Sequence, residues 1–132
     1  MDKQLGKRTT NKPAVALSQA EQWFDEGVKA HDEGNYPAAI ESYRKAAEKG
    51  HVRACVKLIA MHVKEQGVAK DDRAIAQWVA KVQAAAESGD KIGQYGLGCL
   101  YQAKWGVERN INKAVHYFRL SLEQGYDKAK AN

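Results

Sequence analysis

Between Gln19 and Glu123 apolar side chains recur every three or four residues, and short glycine-bearing polar breaks divide the recurrence into six pieces. That period is the one an amphipathic α-helix requires, because residues three and four apart share a face. The pattern predicts helices near residues 19–33, 37–49, 52–65, 72–88, 91–104 and 111–124. Their ends are also written in the chain. Gly50, Gly89 and Gly125 suit the left-handed residue that follows a helix. Asp71 or Asp72, and Asn110, suit N-caps, and Pro37 suits a first helical turn.

The six pieces fall into three similar pairs. Segments 43–54 (YRKAAEKGHVRA), 82–93 (VQAAAESGDKIG) and 118–129 (FRLSLEQGYDKA) each end a helix with Glu-x-Gly and place Ala or Gly four residues later. Upstream stand AAIESY, RAIAQW and KAVHYF, so that Ala39, Ala74 and Ala114 share one position and Tyr43, Trp78 and Phe118 another. A small residue four positions before a ring permits close approach on one helix face, and the ring fills the space beside it. Unit two carries four extra residues between its ring and its closing glycine, best placed at 79–82 (VAKV). Four residues are close to one turn, so they should lengthen the second helix as a local protrusion without rotating its apolar face far.

These spacings resemble a known family. Trp23, Gly27, Gly34, Tyr36, Ala39, Tyr43 and Ala46 are similar to a tetratricopeptide repeat. Gly93, Leu97, Gly98, Leu100, Tyr101, Gly106, Val107, Lys113, Ala114 and Gly125 resemble its relative, the Sel1-like repeat, with Asn110 in place of an Asp. In the middle unit Gly67, Val68 and Asp71 fit, but Ile59 stands where that pattern has glycine and His62 where it has tyrosine. The resemblance implies an all-α superhelix, or solenoid, of three antiparallel helix pairs. Neighbouring pairs in such an array bury faces that no single pair could cover. Residues 1–18 are expected to form a flexible basic tail. Residues 19–132 would form the repeat domain, with units near 19–50, 51–89 and 90–125 and a partial cap at 126–132.

Composition changes little in this picture. Of the 132 residues 44% are hydrophobic and 28% charged, which is ordinary for a folded domain. No apolar run reaches the ~18 residues that a membrane span needs. The opening MDKQLGKRTTNKP has no apolar segment behind its charges and does not read as a secretory signal, so the cytoplasm is the expected location, and the periplasm or exterior only if a leader was removed. The net charge of +5 hints at nucleic acid, yet Lys3, Lys7, Arg8 and Lys12 against Asp2 place most of it in the tail. Nucleic acid is therefore not the favoured partner.

Candidate chemistry is sparse. Cys55 and Cys99 sit in apolar helical positions and read as small buried hydrophobes. His51, Cys55 and His62 lie at i, i+4 and i+11 and could offer zinc three ligands. No fourth ligand is evident, and His51 falls before the helix, where it reads as a capping residue. Carboxylate pairs such as Glu21 with Asp25 read as surface charge, and the Gly-Leu-Gly at 96–98 lies within a helix with no phosphate-binding pattern after it. No catalytic residue, metal site or cofactor is expected.

The resemblance also implies a binding surface, the concave side lined by the first helix of each pair. Carried across, its column would hold Phe24, Val28 and His31, then Val56, Ala60, Val63 and Lys64, then Tyr95, Cys99 and Gln102. That lining is mainly apolar and lacks the residues that clamp a peptide carboxylate in some tetratricopeptide proteins. The expected partner is a protein or peptide with an apolar segment, extended or helical, held in the groove of a noncatalytic adaptor, scaffold or chaperone-like module. The alternative is that these side chains simply pack between neighbouring first helices. A second function class is an assembly or regulatory element that contacts nucleic acid or acidic membrane through the tail. Weak self-association through the terminal helices is a third.

Overall fold

The computed structural model describes residues 19–126, and every regular element among them is helical. Helix α1 covers residues 19–32. It is followed by α2 (Tyr36–Glu48), α3 (Val52–Lys64), α4 (Asp72–Glu87), α5 (Lys91–Ala103) and α6 (Ile111–Glu123). The expected tail at 1–18 and all of the expected cap beyond Tyr126 lie outside the described residues.

Helices α2 through α6 each begin where a side chain can satisfy orphan backbone N–H groups. Asn35, Asp90 and Asn110 accept from Ala38, Ile92 and Lys113 at 3.3, 3.0 and 3.0 Å. Of the two candidates before α4, Asp71 is the cap, accepting from Arg73 and Ala74 at 3.0 and 3.2 Å. His51 caps α3 through Nδ1, which accepts from the Ala54 N–H at 3.2 Å. The second helices end on Gly50, Gly89 and Gly125, all with positive φ. After the first helices α3 and α5 the left-handed residue is Glu65 or Lys104 instead.

The helices of a unit meet along a seam of small residues and rings. A Cβ on Gly27 would lie 2.6 Å from the Tyr43 ring, and one on Gly98 would lie 2.7 Å from the Phe118 ring, so in units one and three only glycine allows this approach. In unit two Ile59 takes the place and is wholly buried, with Trp78 as the ring. Units meet where α2 packs on α3 and α4 on α5, and also through the loops that follow the first helices. Gly67 lies against Tyr36, and Gly106 lies against Ile75 and Val79, both too closely for a side chain. Ile40 and Ile75 are buried at 6% and 4% exposure, whereas their counterpart Val115 on the last helix is 45% exposed.

The extra residues of unit two do not simply protrude: Ala80 and Lys81 are exposed, but the two valines turn inward. Helix α4 has 16 residues where α2 and α6 have 13. Of the inserted stretch Val79 and Val82 are buried, because both fall on the face that already held Ile75 and Trp78. The lengthened helix brings the backbone of Ala85 and Ala86 within 2.8 Å of where a Gly93 Cβ would be. Glycine therefore stands where unit two itself has Ala54. Beyond it, the buried Ser121 hydroxyl donates to the Lys91 carbonyl at 2.8 Å, and Gln124 donates to the Gly89 carbonyl and to Gln94 at 2.8 and 2.7 Å.

Candidate partner-binding groove

Three first helices and the ends of two loops enclose a cleft of about 410 Å³. Helix α1 supplies Phe24 and Val28, α3 supplies Arg53, Val56 and Lys57, and α5 supplies Ile92, Tyr95 and Cys99. Trp105, just after α5, and Tyr126, just after α6, complete it. An adjoining hollow of about 150 Å³ shares Val56, Lys57 and Trp105 and extends the tract to His31, Ala60 and Lys64.

Most of the expected column thus comes together. Phe24, Val28, Val56, Tyr95 and Cys99 line the cleft, and His31 and Lys64 line the hollow. Two residues do not join them. Val63 lines a depression with Lys70, Ile75 and Lys104, because it lies about 100° around α3 from Lys64. Gln102 is exposed and borders neither part of the tract. Phe24 is only 2% exposed and belongs to the core as well as to the wall.

The expected lining, with Lys64 as its one fixed charge, is also incomplete. Turning the α3 stripe away from Val63 brings in Arg53 and Lys57, which the family resemblance does not place there. The spacing of Arg53, Lys57 and Lys64 was the available signal. Arg53 lies over the Phe24 ring at 4.4 Å from its centroid and meets Glu21 at 3.6 Å. Lys64 lies over the Trp105 ring at 5.2 Å. At the same end as Arg53, the His51 ring stacks on the Phe24 ring with centroids 4.5 Å apart, and its Nε2 donates to Glu21 at 2.6 Å. Both nitrogens of His51 are therefore engaged within the chain.

The trio considered for zinc is dispersed by these contacts. His62 Nδ1 donates to the Ala69 carbonyl at 3.2 Å, Cys55 is 1% exposed, and His51 holds Glu21. Among the described residues no three His, Cys, Asp or Glu side chains gather to hold a metal ion. Burial pushes the Cys55 thiol up to about 11. It also raises Cys99, although a hydrogen bond with Tyr95 and the charge of Lys57 act the other way. A nucleophilic cysteine needs the opposite shift.

Solved structures share the helical fold. A Sel1 repeat protein from Oxalobacter formigenes superposes with a TM-score of 0.59 at 28% identity, over 83% of this chain and 44% of the other. A protective antigen of uropathogenic Escherichia coli strains, which displays an SLR fold, gives a TM-score of 0.54 at 35% identity, over 83% and 24%. The chain has the Sel1-like repeat fold. Helicobacter pylori cysteine rich protein B aligns more loosely, with a TM-score of 0.49 at 25% identity over 87% of this chain and 92% of the other. No protein-family model and no curated protein matches the sequence. The chain spans less than half the length of the first two Sel1-like structures. Within it no helix among the described residues is long and apolar enough to cross a membrane.

Proposed function

We propose that this Sel1-like array is a noncatalytic protein-interaction module and that it holds a segment of a partner protein in the tract between its first helices. The observation that carries the reading is the cleft of about 410 Å³, walled by side chains from all three first helices. A repeat array exposes such a surface because each helix pair rotates slightly on the next, which leaves the first helices facing a common concavity. The apolar wall of Val28, Val56, Ile92 and Cys99 offers burial to an incoming side chain. The raised thiols and the internally engaged His51 favour a binding role over a chemical one.

Cys99 provides the test without disturbing the core. It is half-buried in the cleft wall, whereas Cys55 is closed off, so a bulky maleimide should label Cys99 in the native protein. The alkylated protein should lose the partners that the untreated protein captures from lysate, while a Cys99→Ala variant given the same treatment keeps them. Unchanged capture after alkylation would remove the groove reading. Loss of capture on deleting residues 1–18 would move the activity to the tail instead.

A further inference from the structure

The tract carries a charge that its apolar walls conceal. Arg53, Lys57 and Lys64 all come from α3, at i, i+4 and i+11. With Ala60 between them they form one stripe along the helix, about 16 Å long. No Asp or Glu is among the described residues lining either part of the tract. Glu21, which meets Arg53, and Asp32, whose charge helps hold the Tyr43 proton, are both on α1 outside that lining.

Two of the cations are held in place by rings. Arg53 lies on Phe24 and Lys64 on Trp105, so each surrenders less freedom on meeting an anion than a loose side chain would. The same stacking occupies ring faces that a nucleobase would need for its own stacking, which favours carboxylates over bases. Spacing agrees. Alternate side chains of an extended strand lie about 6.8 Å apart, close to the ~6 Å rise from Arg53 to Lys57.

Building on the groove reading above, we propose that the occupant is an extended acidic peptide segment whose carboxylates face Arg53, Lys57 and Lys64 and whose apolar side chains meet Val28, Val56 and Cys99. Affinity then comes from apolar burial, while the charges select and orient the segment. Lys57 and Lys64 are exposed and can be changed without opening the core; Arg53 rests on buried Phe24 and is left intact.

The test is selection of a random dodecapeptide display library on the full chain at physiological salt, followed by anisotropy titration of the enriched peptides. Acidic–apolar sequences should be enriched, and Lys57→Gln with Lys64→Gln should weaken them roughly tenfold or more, as loss of charge-assisted hydrogen bonds does. Their affinity should also fall with added salt, and thermal melting of the double variant should match the parent. Enrichment of neutral apolar peptides, indifferent to the double variant but blocked by alkylation of Cys99, would overturn the charge assignment and leave the groove reading standing. Absence of any peptide blocked by that alkylation would overturn both. A single-stranded oligothymidine that binds more tightly than the enriched peptides and displaces them would overturn the peptide in favour of nucleic acid.

Discussion

The end units and the middle unit solve the same packing problem in opposite ways. In units one and three a glycine lets the ring of the second helix lie almost on the first helix's backbone, Gly27 under Tyr43 and Gly98 under Phe118. In unit two Ile59 fills that space with its own side chain, and the second helix is lengthened by buried Val79 and Val82. The ends gain by backbone proximity and the middle by aliphatic volume. The middle unit is also the one with neighbours on both sides, so its larger side chains are enclosed from every direction. A repeat position therefore specifies a shape to be filled rather than a residue to be kept.

The largest effect should come from emptying the middle seam. Ile59→Ala should cost about 2–5 kcal/mol, because the site is wholly enclosed and a cavity would remain. Chemical denaturation would check it, and a loss below that range would mean that α4 collapses onto the gap. Overfilling an end seam should cost less. Gly98→Ala and Gly27→Ala place a methyl inside the ring contact distance and should destabilise by about 1–3 kcal/mol, partly offset by the better helix propensity of alanine. If either variant melts above the parent, the glycine approach is not what holds the seam.

The smallest effect separates the two end seams from each other. Tyr43 and Phe118 occupy one repeat position, but only Tyr43 titrates. Burial, with a contribution from Asp32, raises its hydroxyl from 10.0 to about 12. The native state thus holds this proton after the unfolded chain has released it, so the contribution is intact below pH 10 and is lost as pH rises toward 12. Cys55, raised from 9.0 to about 11, acts in the same sense and starts the decline above pH 9. Melting temperature followed against pH should fall in that window, and Tyr43→Phe should flatten the part above pH 10.

The sequence alone determined the helices, their order and their pairing. All ten boundaries predicted for α2 through α6 fall within a residue of the helices found, since helix period, caps and glycine stops are local properties. Even His51, read as a capping residue, caps α3. The rotation of each helix about its axis is not local, because it is set by what the neighbouring helices leave open. That is why Val63 was expected in the groove and faces another surface, while Arg53 and Lys57 line it. The insertion at 79–82 was legible as one more turn, yet whether that turn reached solvent or core depended on α5. Gly93 leaves room for Ala85 and Ala86, and the apolar side of the extra turn, Val79 and Val82, is buried. The chain determined by itself which faces must be covered, and only the packed array decided which one remained open to bind.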